Sequence, residues 1–162
     1  FGWFCQKYGG KVWTIDIEKE AIDNCKEITK EYCDTIDYFV SDSAKALSKT
    51  TKTVDLLYLD SGNDPELSLK ELNAVLDKLE KHSVVFMDDT SLWNKRSGGV
   101  NKGVLAFKKL WDLGREIVFD DGNEIIMTNQ EKSRKGFIST LKSALYSFKV
   151  RKIPVIVRRG AL

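Results

Sequence analysis

Val54-Asp55-Leu56-Leu57-Tyr58-Leu59-Asp60 is an almost unbroken apolar run that ends on an acid, and Ser83-Val84-Val85-Phe86-Met87-Asp88-Asp89-Thr90 repeats the design. Short continuous apolar runs mark strands buried on both faces, as in a parallel sheet covered by helices. Lys11-Val12-Trp13-Thr14-Ile15-Asp16-Ile17 is a third copy of the pattern. Open α/β sheets bind ligands beyond the carboxyl ends of their strands, so acids at three such ends predict one shared site.

Outward from these runs, strand and helix patterns alternate. Phe1 to Tyr8 reads as the last turns of an apolar helix stopped by Gly9-Gly10. A helix is predicted over 18–33, with Ala21, Ile22, Cys25, Ile28, Thr29 and Tyr32 on its buried stripe. A strand at 36–40, a short helix opened by Ser41-Asp42-Ser43-Ala44 and the strand at 54–59 follow. Asn63 or Asp64 caps and Pro65 starts another helix, whose stripe is Leu67, Leu69, Leu72, Val75, Leu76 and Leu79. After the strand at 84–88 come a polar loop over 91–101, a helix at 103–113, and strands at 115–119 and 124–128 joined through Asp121-Gly122, a hairpin signal. The expected class is α/β, a doubly wound and mostly parallel sheet with a C-terminal antiparallel hairpin.

Composition bounds the rest. A chain of 162 residues, 42% hydrophobic and 31% charged, suits one soluble globular domain. No stretch reaches the roughly 18 consecutive apolar residues of a membrane span, and none opens the chain as a signal peptide does, so the expected location is cytoplasmic. Cys5, Cys25 and Cys33 lack metal-ligand spacing and read as reduced thiols. Charge is uneven: residues 1–130 hold 17 Lys and Arg against 23 Asp and Glu, a net −6, whereas residues 131–162 hold 9 against 1, a net +8. The expected division is an α/β domain over 1–130, incomplete at its N-terminus because the chain opens at Phe1 inside a helix, and a basic tail or helix over 131–162.

In a nucleoside-binding doubly wound domain, an acid at a strand end accepts hydrogen bonds from both ribose hydroxyls, a task that suits Asp16. Asp42 is placed to bind an adenine amino group while Ser41 or Ser43 caps the next helix. Asp16 as a turn former and Asp42 as a plain helix cap are the simpler alternatives.

The ordered series Ile15-Asp16-Ile17, Ser41-Asp42-Ser43, Asp55 to Asp60 and Val84 to Thr90 resembles the class I S-adenosylmethionine-dependent methyltransferases, most closely their small-molecule O-methyltransferase branches. The resemblance spans about residues 3 to 129 and implies a Rossmann-like fold. It implies S-adenosylmethionine held by Asp16, Ile17, Ser41, Asp42, Ser43 and Asp60, with Asp60 also at the reacting centre. It further implies Mg2+ or another divalent cation held by Asp60, Asp88 and Asp89, and a small-molecule methyl acceptor. The sequence departs from that family in three ways. The opening strand and its glycine-rich cofactor loop are not found; that strand lies mid-sheet in the family, so its segment precedes Phe1, is supplied by another part of the chain, or has been lost. Ser61-Gly62-Asn63 stands where catechol-type relatives carry a lysine base, and Asp89 where asparagine is usual. No general base is identifiable.

His82, next to Lys81, reads as a surface residue at a helix end. Trp93 and Arg96 lie in the loop that would face an acceptor. The basic tail interleaves cations with Phe137, Leu141 and Leu145 at helical spacing, which suits packing on its own domain or contact with an acidic partner or membrane surface. A competing function is therefore a non-catalytic binding or scaffolding module with a basic interaction tail. A nicotinamide-dependent dehydrogenase is weaker, because its glycine fingerprint is equally missing.

Overall fold

A computed structural model describes residues 1–62, 64–88, 90, 102–120, 125–128 and 155–158. Its elements are α1 (Gly2–Tyr8), β1 (Lys11–Asp16), α2 (Lys19–Ile28), β2 (Ile36–Val40), α3 (Ser43–Leu47), β3 (Val54–Leu59), α4 (Pro65–Val75), β4 (Leu79–Met87), α5 (Val104–Asp112), β5 (Glu116–Asp120), β6 (Ile125–Thr128) and β7 (Val155–Arg158). Short 3-10 turns cover Lys30–Thr35 and Leu76–Lys78.

The seven strands among the described residues form one sheet in the order β2-β1-β7-β3-β4-β6-β5. β1 pairs β2 and β3 pairs β4 in parallel, while β5 and β6 form the expected antiparallel hairpin against β4. The chain steps outward from β1 to β2, then jumps back across the sheet to β3 and β4. That reversal is a topological switch point, the place where doubly wound sheets leave a crevice for ligand.

β7 lies in the gap at that point. It runs antiparallel to both neighbours, pairing Val12 with Val157 and Trp13 with Ile156 on one side, and Leu56 with Val157 and Leu57 with Ile156 on the other. Without it, β1 and β3 would each present a mid-sheet row of unpaired N–H and C=O groups. The pairing expected from an opening strand is thus supplied by residues from the basic C-terminal stretch. Because β7 is antiparallel, it starts at the carboxyl edge of the parallel strands, with Val155 beside Thr14.

Alternation along the strands sends side chains to the two faces of the sheet. Ile15, Leu57, Leu59, Val85, Met87, Ile125 and Met127 face Leu47, Leu72, Val75, Ala106 and Leu110 of α3, α4 and α5. Val12, Ile36 and Leu56 face the opposite way, with Cys5 of α1 and with Tyr32. Gly9, at φ 78°, ends α1 in a conformation open to glycine.

Several boundaries differ from expectation. The helix predicted over 18–33 stops at Ile28, where the Thr29 hydroxyl bonds the Cys25 carbonyl at 2.6 Å and shares a 2.6 Å contact with the Tyr38 hydroxyl. Bonding of a threonine back to its own helix favours such an ending; Ile28 is left exposed rather than on the stripe. β4 begins at Leu79, earlier than predicted, so His82 sits on a strand and not at a helix end. The buried face of α4 is Ser68, Glu71, Leu72 and Val75, with Leu67 and Leu69 only partly covered.

Proline cannot donate to a ladder. Ile156→Pro or Val157→Pro removes one interior backbone hydrogen bond and is expected to cost about 1–3 kcal/mol. Urea unfolding followed by circular dichroism measures this; a change within error would remove β7 from the sheet.

Candidate functional site

The site is built at the carboxyl edge of the sheet in two halves that flank β7. On the first, β1 and β2 end in register, and Ser41 N donates to Asp16 O at 2.9 Å, carrying the ladder past the Asp16–Val40 pair. Asp16 Oδ1 accepts from Glu18 N at 2.8 Å, which fixes the carboxylate as the chain turns into α2. Ile17, between them, is 72% exposed. Asp42 Oδ1 accepts from Lys45 N at 2.7 Å and caps α3, whose first residue, Ser43, is buried. Asp42 thus performs the capping role that the sequence left open, at the same edge as Asp16.

On the second half, Leu59 pairs with Met87 as the last register of β3 and β4, and Asp88 N donates to Leu59 O at 3.1 Å. Asp60 and Asp88 therefore leave the sheet side by side. Asp60 is buried, and its Oδ1 accepts from Lys102 Nζ at 2.5 Å; Lys102 is 1% exposed. Lys102 reaches this point because the next residue is glycine. A Cβ on Gly103 would lie 2.6 Å from Thr90 Cγ2 and 3.4 Å from Asp88 O, so only glycine lets the start of α5 press onto the end of β4.

Glu71 completes the second half. It is 0% exposed on α4, and among the described residues neither carboxylate oxygen has a hydrogen-bond partner; the Ser61 hydroxyl is likewise buried without one among them. Burial pushes the Glu71 carboxyl above the usual glutamate range. The nearby hydroxyls of Ser43 and Ser61 and the Lys102 charge pull it partly back, while Asp42 pushes it further up. Ser43 and Ser61 are thus close enough to act on Glu71 without making an ordinary hydrogen bond to it. Through Glu71 the two halves are electrostatically joined.

Of the residues expected from the sequence, Asp16, Ile17, Ser41, Asp42 and Ser43 stand together at the ends of β1 and β2, and Asp60 and Asp88 at the ends of β3 and β4; Lys102 and Glu71 were not singled out by the sequence. Lys102 looks like any loop lysine, and only the glycine after it hints at close packing. Glu71 did carry a signal, since it stands at helical spacing from Ser68, Leu72 and Val75, on the apolar face. Asp89, Trp93 and Arg96 lie outside the described residues.

A hard divalent cation needs several oxygen ligands. Among the described residues no three acids, histidines or cysteines converge on such a position, and the Lys102 ammonium already stands against Asp60. The described residues do not fit a metal centre. The adenosine part of a nucleoside cofactor fits better: an acid beside an exposed apolar residue, and a second acid and a serine on the neighbouring strand end.

A family model described as a methyltransferase domain matches residues 3–90. No curated protein sequence matches the chain. Among solved structures, CalS11, a TDP-rhamnose 3'-O-methyltransferase of calicheamicin biosynthesis, is similar at TM-score 0.55 and 14% identity, covering 74% of this chain and 58% of its own. The methyltransferase PaMTH1 of Podospora anserina, bound to S-adenosylhomocysteine, aligns at TM-score 0.52 and 13% identity over 74% of this chain and 60% of its own. The mycinamycin-pathway methyltransferase MycE, in complex with Mg, S-adenosylhomocysteine and mycinamycin VI, aligns at TM-score 0.50 and 13% identity over 79% of this chain and 38% of its own. At these identities the likeness is one of fold. The chain spans less than two thirds of the length of each of these three structures.

Two outcomes follow from the buried charges. Asp60→Asn or Lys102→Met alone breaks the buried ion pair and is expected to cost about 3–5 kcal/mol, whereas the double variant recovers much of that; a double-mutant cycle by urea unfolding checks it. Glu71, whose folded pKa is raised, disfavours folding progressively as pH climbs through and above its ordinary value of 4.5. Glu71→Gln is therefore expected to gain stability over the parent between pH 5 and pH 8, and equal unfolding midpoints at both pH values would refute this.

Proposed function

The chain belongs to the methyltransferase-domain family, and from that premise we propose that it binds S-adenosylmethionine and transfers the methyl group to an oxygen of a small molecule. The observation that carries this reading is the convergence of Asp16 and Ser41-Asp42-Ser43 at the joined ends of β1 and β2. Asp16, held by Glu18 N, presents its carboxylate to the ribose hydroxyls. Ile17 offers its exposed side chain to one face of the adenine ring, and Asp42 and Ser43 meet the ring edge.

When bound, S-adenosylmethionine supplies an electrophilic methyl group on a sulfonium. The chain's own contribution is placement: aligning acceptor oxygen, methyl carbon and sulfur for in-line displacement supplies most of the rate gain available without covalent chemistry. Asp60, at the end of β3 and across β7 from Asp16, marks the acceptor side. No step is assigned to a metal, since the described residues do not form its site. The free thiols of Cys5, Cys25 and Cys33 support a cytoplasmic setting, and no helix among the described residues is long and apolar enough to cross a membrane.

A second reading has one observation in its favour. β7 stands mid-sheet where relatives of this fold place the strand that leads into the cofactor loop, which suits a binding module that has given up the cofactor. It predicts no heat on titration with S-adenosylhomocysteine and salt-sensitive binding of an acidic partner.

Calorimetry separates the two. S-adenosylhomocysteine is expected to bind the parent, and Asp16→Ala to weaken that binding about 10- to 100-fold, the worth of charge-assisted hydrogen bonds of about 1.5–3 kcal/mol. Equal affinity of parent and variant would sink the ribose assignment.

A further inference from the structure

Within the reading just given, three residues have no role: Ser61 after β3, Glu71 on α4 and Lys102 ahead of α5. We infer that Lys102 is the resident cation of this site: its ammonium takes the position against Asp60 that a divalent ion would otherwise claim, with Glu71 as the second acid of its surroundings.

Four observations carry this. The ion pair is direct, with Nζ 2.5 Å from Asp60 Oδ1, and both side chains are almost fully buried, at 2% and 4% exposure. Asp60 lies beside Asp88, so the ammonium enters where strand-end acids gather and would repel one another. Glu71, fully buried with both oxygens lacking hydrogen-bond partners among the described residues, feels the Lys102 charge and gives the ammonium a second carboxyl neighbour. Gly103 is the local device that brings the lysine in, because any side chain there would collide with Thr90.

A single ammonium differs from a dication in consequence. It adds one positive charge where Mg2+ adds two, it is tethered and always present, and it needs no loading from solution. Lys102 is thus a positioning residue that fixes the Asp60 carboxylate. Removing it would leave Asp60 and Glu71 facing a cavity of the right charge to recruit a cation from solution.

The test is cation binding, read independently of activity and of cofactor affinity, so that it stands even if S-adenosylhomocysteine fails to bind. Mn2+ is titrated into the parent, Asp60→Asn, Lys102→Ala and Lys102→Ala/Glu71→Gln, with water-proton relaxation and thermal unfolding as readouts. The parent is expected to show no Mn2+ binding that Asp60→Asn abolishes, and no change of Tm between Mn2+ and EDTA. Lys102→Ala is expected to lose about 10 °C in Tm, to regain part of it with Mn2+ or methylammonium, and to lose that rescue when Glu71→Gln is added. A parent Mn2+ site that disappears in Asp60→Asn would overturn the inference, as would a folded Lys102→Ala that neither cation stabilises. Should Lys102→Ala fail to fold, comparison of the parent with Asp60→Asn and of the parent in Mn2+ and in EDTA still decides the question.

Discussion

A strand in the middle of a sheet must be paired on both edges, and the architecture depends on how that demand is met between β1 and β3. Backbone groups buried there have no water to fall back on. β7 meets the demand with only four residues, running against the direction of its neighbours. It welds β2-β1 to β3-β4-β6-β5 and, with the core shared by α3 and α4, holds the two halves of the site at a fixed spacing. At one strand spacing of about 4.8 Å per step, the ends of β1 and β3 lie roughly 10 Å apart, a gap that one extended ligand can bridge.

The same weld changes what stands at the switch point. A parallel strand would leave the sheet at the carboxyl edge and feed a loop over the crevice; an antiparallel one arrives there instead. Val155, the first residue of β7, therefore stands toward the ligand side. The acids on either side are untouched by this reversal, because Asp16 and Asp42 are set by the β1–β2 ladder and Asp60 and Asp88 by the β3–β4 ladder. Each half is locally determined, and β7 acts on their separation rather than on either half.

That division explains what was readable from the sequence. Val54 to Leu59 and Val84 to Met87 declared themselves as buried strands by composition alone, and the acids that end them followed at once. Helix positions were equally legible from apolar spacing and from Pro65, although tertiary contacts moved their ends, as the Thr29 bonds to Cys25 and Tyr38 do at the close of α2. β7 was hidden because Val155-Ile156-Val157 is a short apolar island in a basic stretch, and nothing local says which edge it joins. Lys102 was hidden for a related reason: its importance comes from a contact 42 positions away in the chain.

Glu71 shows how a conflict between local rules can point to function. An acid on the buried stripe of a helix contradicts the patterning that otherwise predicts α4, and an apolar residue there would spare the desolvation of a carboxyl. Leu72 and Val75, its stripe neighbours, are fully buried in the core as the pattern requires. The exception falls where α4 comes within reach of Ser43 and Ser61. A buried acid placed at random would have no reason to fall within the field of the buried ammonium on α5's leading edge. Its position there ties α4 to the same electrostatic unit as Asp60 and Lys102, and makes the charge balance of the site a property of three elements rather than of one strand end.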